Sequence, residues 1–273
     1  MAQYSLNQYV DLLRAPEGDN GPLILDRDTL RTEDGTTSFP VVDGIPQMLG
    51  AEFDREVAAL YEGNAAKGGF EHSTVGYKFP SHYTRMIKAF SVLCARFDEN
   101  SIVADIGCGH GQMTSAMAKK LPVFGVDLSN NMLHEAKVNG LIPLRGDASA
   151  LPFRDGVLDG VVSAEVVQHL PDLYEIFAEM ARVTRPGATI LLSTLNRKSI
   201  VRRTNRKLRG LDLIGPARLR AIEDFTAVLE GFPLRIEAVC WVMSPLPFNP
   251  VVENVNFPLS ALAQNYVLSI RRA

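Results

Sequence analysis

The chain has 273 residues, of which 46% are hydrophobic and 22% are charged, with a formal net charge of -3 and three cysteines. This composition is ordinary for a globular protein with a sizeable core, so it argues against a disordered or fibrous chain. The slight negative charge gives no general attraction to nucleic acid, and three widely spaced cysteines argue against a disulfide framework and favour a reducing compartment.

The start of the chain lacks a basic segment followed by an apolar core, and no stretch of about 18 apolar residues occurs anywhere in the sequence. We therefore expect a cytoplasmic protein without integral membrane association.

Short apolar runs separated by Gly, Pro and Asp fill residues 10–49, which predicts a small β module. Its phrase Phe39-Pro-Val-Val-Asp-Gly-Ile-Pro46 resembles the zinc-ribbon domain found in partner subunits of tRNA methyltransferases. Two Cys-x-x-Cys pairs bind zinc in that domain, and the matching positions here hold Ala15, Gly18, Thr32 and Gly35. We therefore predict a metal-free module over residues 1–50, held by docking on the rest of the chain. An interaction or gating surface and an inherited structural appendage are both open as its role.

Residues 51–100 are predicted to form a helical lid and linker. A helical stretch over residues 52–60 and a second helix over residues 81–97 flank a connection with paired glycines at Gly68 and Gly69. Glycine-rich joints between helices suit a lid that moves.

A strand, a glycine turn and a helix follow, with Ile102-Val-Ala before the turn and the stretch from Gln112 to Lys120 after it. The turn reads Asp105-Ile-Gly-Cys-Gly-His-Gly111. Gly107, Gly109 and Gly111 permit a sharp turn and let a ligand lie directly on the main chain. The spacing matches neither G-x-G-x-x-G nor a phosphate-binding loop, so the pattern indicates a different nucleotide-type cofactor loop.

Two further strands end in acids, Asp127 after Val123-Phe-Gly-Val and Asp147 after Ile142-Pro-Leu-Arg-Gly. Ligands of open parallel sheets collect at the carboxyl ends of strands. Asp127 is therefore a candidate for the hydroxyls of a ribose, and Asp147 for the amino group of an adenine.

With these elements in order, residues 85–273 resemble the class I S-adenosylmethionine-dependent methyltransferases, and the likeness continues through the segments 151–155, 161–172 and 182–188. The resemblance implies a Rossmann-like α/β domain over residues 101–273, with a seven-stranded mixed sheet and flanking helices. It also implies S-adenosylmethionine as cofactor. The loop from Asp105 through Gly107, Cys108 and Gly109 to Gly111 would hold the methionine part, Asp127 with Leu128 the ribose, and Asp147 with Ala148 the adenine. We assign no chemistry to the Cys108 thiol, because a small residue in a tight turn explains it.

Methyl transfer to an oxygen needs a base. Two side chains after the fourth predicted strand of this domain, Val161-Val-Ser-Ala164, are candidates. His169 lies in Val166-Val-Gln-His-Leu-Pro-Asp172 at the edge where substrate would approach, and Glu165 precedes it. An imidazole titrates near neutral pH and suits general base catalysis. A structural role for His169 in holding its loop is also open.

Two segments are predicted as substrate-cap insertions, near residues 196–222 and 245–260. The first is predicted to be a helix rich in basic residues, with an acid only at Asp212. Such a helix indicates either attraction of an anionic substrate or an ordinary solvent-exposed face. Its basic residues are Arg197, Lys198, Arg202, Arg203, Arg206, Lys207 and Arg209. Candidate pocket and lid side chains are Tyr61, Tyr77, His82, Tyr83, Arg85, Phe248, Asn249, Asn254 and Phe257.

The sequence therefore predicts an O-methyltransferase of biosynthetic metabolism, without a metal, that acts on a small or medium-sized acceptor, with anionic and carrier-linked molecules among the candidates. Two alternatives stay open: an RNA methyltransferase, and a non-catalytic partner subunit that binds the cofactor. The acceptor, the accepting atom and the oligomeric state do not follow from the residues.

Overall fold

The computed structural model of the chain describes residues 4–18, 21–50, 53, 59, 62–63, 80–170, 172–201, 203–204, 218–243, 251–253 and 260–273. Most of the helix predicted over residues 52–60 and most of the two predicted cap insertions lie outside these ranges, as do Tyr61, Tyr77, Phe248, Asn249, Asn254 and Phe257.

The N-terminal segment forms a four-stranded antiparallel sheet in the order β1-β2-β3-β4. Its strands are β1 (Leu23–Asp26), β2 (Thr29–Thr32), β3 (Ser38–Val42) and β4 (Ile45–Pro46). The turns between them use left-handed residues, including Gly35 and Gly44, which is why Gly and Asp punctuate this stretch. The apolar run at Val10 forms a 3-10 turn, Val10–Leu12, instead of a strand.

The main sheet has eight strands in the described residues, in the order β11-β10-β12-β9-β8-β5-β6-β7. Five are parallel neighbours at its centre and one side, β5 (Val103–Ile106), β6 (Val123–Asp127), β7 (Ile142–Arg145), β8 (Leu158–Ala164) and β9 (Thr184–Leu195). Three antiparallel strands complete the other side, β10 (Leu234–Met243), β11 (Val251–Glu253) and β12 (Ala263–Arg272). The predicted seven-stranded mixed sheet is confirmed, and the short β11 extends it at the β10 edge.

Helices flank this sheet as predicted, namely α1 (Pro80–Cys94), α2 (Ser115–Ala118), α3 (Asn130–Val138), α4 (Tyr174–Val183) and α5 (Ile222–Leu229). In α4 the buried positions Ile176, Phe177, Met180, Ala181 and Val183 recur at helical spacing, so one face packs on the core. The helix predicted over residues 112–120 is shorter, since turns precede α2. None of the helices in the described ranges combines the length and apolar character that a membrane span requires.

The N-terminal sheet docks on the open edge of the main sheet at β7. The Met48 amide donates to the Arg145 carbonyl at 2.8 Å, and Gln47 and Arg145 form an isolated parallel β-bridge. One hydrophobic core runs through both sheets, and the Phe124 and Phe153 rings meet edge to face at 5.3 Å within it. The division predicted at residues 50 and 100 stays a prediction.

Candidate cofactor site at the carboxyl edge of the main sheet

The glycine loop turns from β5 into the segment before α2 with left-handed backbone. Gly107 has φ +68, and a Cβ there would lie 2.3 Å from Val166 Cγ2, so only glycine fits. Gly109 has φ +53, and a Cβ there would meet no atom of the described residues within 4 Å. The amides of Gly107 and Cys108 both donate to the Val126 carbonyl, at 2.7 and 3.1 Å. The loop is therefore tied to the end of β6 and leaves open space over Gly109.

Asp127 ends β6 beside this loop. Its Oδ2 accepts from the Gly109 amide at 2.8 Å and its Oδ1 from the Ser129 amide at 3.0 Å. Burial raises the pKa of the Asp127 carboxyl, while the hydrogen bonds from backbone amides oppose that rise. The carboxylate is thus fixed in orientation at the strand end where the sequence predicted a ligand group.

Asp105 lies under the loop and is 1% exposed. Thr114 Oγ1 donates to its Oδ2 at 2.6 Å, whereas Oδ1 is buried without a hydrogen-bond partner among the described residues. Burial raises the pKa of Asp105 to about 7, with the Thr114 hydrogen bond opposing the rise and the charge of Asp127 adding to it. Thr114 was not predicted, because a threonine in the turn before a short helix carries no distinctive pattern.

Asp147 and Ala148 follow β7 at the same edge of the sheet. Both carboxylate oxygens of Asp147 accept from Ser149, from its amide at 3.1 Å and from its hydroxyl at 2.7 Å. Leu128 follows Asp127, and its carbonyl accepts from Arg145 Nε at 2.9 Å. The residues assigned to ribose and adenine by the resemblance therefore lie on neighbouring strand ends.

Cys108 lies in the loop with its thiol near the Gly109 carbonyl, at 3.3 Å. Burial, with smaller contributions from Asp127 and Asp105, raises the pKa of this thiol well above its usual range. A thiol that stays protonated is a poor nucleophile, so we assign no chemical role to the Cys108 thiol.

Glu165 follows β8 and has a left-handed backbone with φ +60, an uncommon conformation for a glutamate. Its Oε1 accepts from Ser193 Oγ at 2.9 Å and from Asn265 Nδ2 at 3.0 Å, and its Oε2 from Gln168 Nε2 at 3.3 Å. Ser193, Asn265 and Gln168 are all buried. The Glu165 carboxylate is thus built into a polar network beneath the site, and the sequence did not predict its three partners because they come from β9, β12 and a turn.

His169 closes the turn after Glu165, with its amide donating to the Val166 carbonyl at 2.8 Å. The ring is partly exposed at the carboxyl edge of the sheet. Burial lowers the pKa of His169 from its usual value, so the imidazole is neutral at neutral pH. A neutral imidazole can accept a proton, whereas an imidazolium cannot.

Other side chains considered from the sequence have different surroundings. Arg85 Nη1 donates to the Met243 carbonyl at 2.9 Å, at the end of β10. Of the basic segment, Arg197 pairs with Asp224 at 3.0 Å, and Lys198 pairs with Glu223. The acids of α5 therefore neutralise part of the positive charge of the basic segment, although they lie outside that run of basic residues in the sequence. The side chains of His82 and Tyr83, and most of the remaining basic residues, lie outside the described residues.

The described residues contain no group of three or more His, Cys, Asp or Glu side chains placed to hold a metal ion. Near the positions that match zinc ligands, Gly18 approaches Ala15 and a Cβ on it would lie 3.4 Å from the Ala15 Cβ. The other turn is held by side chains, since the hydroxyls of Thr32 and Thr36 donate to Asp34 at 2.6 and 2.9 Å.

Comparison with known proteins agrees with this architecture. Residues 104–192 match a family described as "Methyltransferase domain". A ubiquinone biosynthesis O-methyltransferase of Methylococcus capsulatus is 37% identical over 101 residues, which is 34% of this chain and 43% of that protein. A tRNA (carboxymethyluridine(34)-5-O)-methyltransferase of Mus musculus is 37% identical over 95 residues, 34% of this chain and 14% of that protein.

Among solved structures, a magnesium protoporphyrin IX methyltransferase from Synechocystis, crystallised with bound S-adenosylhomocysteine, superposes with a TM-score of 0.61 at 16% identity. The match covers 81% of this chain and all of that one, so the two share a fold. The curated relatives named above are matched over less than half of their length. Residues 104–192, which carry the glycine loop, Asp105 and Asp127, therefore match the methyltransferase-domain family, and the chain has the fold of S-adenosylmethionine-dependent methyltransferases.

Proposed function

We propose that this chain transfers a methyl group from S-adenosylmethionine to an oxygen atom of a small or medium-sized acceptor. The observation that carries the proposal is the pairing of a tied glycine loop with two oriented acids, Asp105 and Asp127, inside a methyltransferase domain. The Methylococcus relative is named as an O-methyltransferase, which supports oxygen as the accepting atom.

The described residues fit this cofactor. Open space over Gly109 lets a ligand approach the main chain, and the buried, unpartnered Oδ1 of Asp105 offers an acceptor toward a cationic amino group. Asp127, already oriented by two amides, has further lone pairs for ribose hydroxyls. Leu128, Asp147 and Ala148 line the adjacent strand ends, where we place the adenine.

When bound, the cofactor supplies a methyl group already activated on a sulfonium, so the protein's task is alignment, exclusion of water and removal of a proton. We assign proton removal to His169, whose neutral imidazole accepts the hydroxyl proton of the acceptor as the new oxygen–carbon bond forms. Glu165 is the second candidate of the sequence prediction. Its carboxylate already accepts from Ser193, Asn265 and Gln168, which favours a role in shaping the wall of the acceptor pocket.

We propose a hydroxyl-bearing acceptor of metabolic size, and the basic segment near residues 196–222 favours an anionic or carrier-linked one. The pairs Arg197–Asp224 and Lys198–Glu223 reduce that attraction within the described residues.

The test combines binding and turnover. We expect S-adenosylhomocysteine to bind the purified protein in calorimetry, and label from methyl-labelled cofactor to enter a small-molecule fraction of a cell extract. The Asp127→Ala variant should bind roughly 30-fold or more weakly, because a charge-assisted pair of hydrogen bonds is lost. Absence of binding by the unaltered protein would refute the proposal.

An RNA methyltransferase is the second candidate, favoured by the mouse relative, which is named as a tRNA methyltransferase, and by the basic segment. In the same experiment it predicts label in RNA, removed by ribonuclease. A non-catalytic partner subunit predicts cofactor binding with no label in any fraction.

A further inference from the structure

A cluster of four polar side chains lies at the start of α3, shortly after β6, which ends at Asp127. We call Gln47, Glu62, Asn130 and Arg145 the Arg145 cluster. Gln47 and Asn130 exchange reciprocal amide hydrogen bonds, with Gln47 Nε2 donating to Asn130 Oδ1 at 3.0 Å and Asn130 Nδ2 donating to Gln47 Oε1 at 3.1 Å. A residue of the N-terminal sheet thus contacts the cofactor domain 83 positions further along the chain.

Arg145 joins three parts of the molecule through one planar guanidinium. Its Nε donates to the Leu128 carbonyl at 2.9 Å, and its Nη1 donates to Gln47 Oε1 at 3.2 Å. Its Nη2 lies 3.8 Å from Glu62 Oε1. The fixed fork of a guanidinium suits such simultaneous contacts, which a single ammonium cannot reproduce.

Glu62 accepts hydrogen bonds at the start of α3. Its Oε1 accepts from the Asn130 amide at 2.6 Å, and its Oε2 accepts from Ser129 Oγ at 2.9 Å. The first amides of a helix lack partners within the helix, and a negative charge is favourable at this end. The side chains of Arg145 and Glu62 are only 20% and 25% exposed, so water screens this pair less than a surface pair.

The cluster encloses the segment Leu128–Ser129 from both sides. Arg145 holds the carbonyl of Leu128, and Glu62 holds the side chain of Ser129. The amide of Ser129 in turn donates to Asp127 Oδ1, so the position of this segment sets the orientation of the Asp127 carboxylate.

We propose that the Arg145 cluster positions Asp127 for the cofactor's ribose, and that the N-terminal sheet and Glu62 thereby contribute to cofactor binding. Gln47, Glu62 and Arg145 are positioning residues in this role. The inference rests on the proposed function, because it assumes that Asp127 binds a ribose. It gives the N-terminal module a role beyond covering the edge of β7.

The test compares two cluster variants with a matched control. Gln47→Ala removes one contact between the module and α3, and Arg145→Lys keeps the charge but loses the fork. The control is Lys137→Met: Lys137 Nζ donates to the Asp43 carbonyl at 2.8 Å and so also joins α3 to the module, but near the C-terminal end of the helix.

Calorimetry with S-adenosylhomocysteine should show affinity weakened about 5- to 10-fold in Gln47→Ala and Arg145→Lys, and within about twofold of the unaltered protein in Lys137→Met. The loss in the cluster variants should be smaller with 2′-deoxy-S-adenosylhomocysteine, which lacks a hydroxyl that Asp127 would bind. A purely structural defect would lower both affinities by the same factor. Thermal unfolding identifies a variant that fails to fold, in which case the other one decides.

Equal losses with the two ligands, or an equal loss in Lys137→Met, would overturn the positioning role. Unchanged affinity in both folded cluster variants would also overturn it. These outcomes are distinct from a failure of the proposed function, in which the unaltered protein binds neither ligand.

Discussion

At the scale of single residues, the site depends on two acids whose environments differ. Asp105 is buried and one of its oxygens has no partner in the described part of the chain, whereas Asp127 accepts from an amide at each oxygen. Burial without full hydrogen bonding favours the neutral form of a carboxyl, and a nearby cation favours the charged form. Asp105 is therefore the acid whose protonation we expect to respond to the cofactor.

Cofactor affinity should rise as the pH increases from 6 to 8 because the pKa of Asp105 is about 7. Ionised Asp105 attracts the ammonium of S-adenosylhomocysteine, while the protonated acid, which predominates at lower pH, does not. Calorimetry across this range checks the expectation. In Asp105→Asn the overall affinity should fall and the pH dependence should disappear; a flat profile in the unaltered protein would contradict the assignment.

The pH dependence of turnover tests His169. Since burial lowers the pKa of His169 below 6.5, a rate that depends on its neutral form should be level above about that pH and should fall only in more acidic solution. His169→Asn should reduce kcat by about 10²- to 10⁴-fold with little change in cofactor affinity. Full activity in this variant would show that His169 is not the base and would leave it a structural role in its turn.

At the scale of elements, the conformation of the glycine loop and the positions of the neighbouring strand ends depend on one another. The loop amides bind the end of β6, and the turn after β8 places Val166 against Gly107. A side chain at Gly107 would therefore disturb the contact between two strand ends, while one at Gly109 would point into open space.

Two alanine substitutions separate these effects. Gly109→Ala should cost about 1–2 kcal/mol in the free energy of unfolding, from the left-handed backbone alone. Gly107→Ala should cost about 2–4 kcal/mol, since the clash with Val166 adds to the same backbone penalty. Urea unfolding measures both, and equal costs would show that Val166 moves aside.

At the scale of the whole molecule, the N-terminal sheet is part of one core. Met48 is 0% exposed at the junction with β7, and Leu13 is equally buried in the cluster that continues to Phe153. Because apolar contacts are shared across this junction, we expect the module and the main domain to unfold together.

Met48→Ala should lower the free energy of unfolding by about 2–5 kcal/mol through the cavity it leaves. Val42→Ala is the matched control on β3, where the side chain is 49% exposed, and its cost should be within about 0.5 kcal/mol. A single cooperative transition should persist in both variants. An early, separate transition in Met48→Ala would indicate that the module unfolds alone.

Local sequence patterns predicted those strands and turns whose conformation depends mainly on the residues within them. Val103–Ile106 is buried throughout, so an apolar run was enough to identify a central strand. Short helices were harder: the helix predicted over residues 112–120 is reduced to Ser115–Ala118, and Val10–Leu12 became a 3-10 turn because packing decides such marginal segments.

The sequence by itself determined where the central strands lie along the chain, the glycine loop and the acids at the strand ends, because each depends on neighbouring residues and on backbone sterics. Only the tertiary structure brought Asn265 to Glu165 across 100 positions and Gln47 to Asn130 across 83. It also paired Arg197 and Lys198 with acids of α5. Such contacts join ordinary polar residues whose separation in the chain is unrelated to their distance in space, so no local pattern marks them.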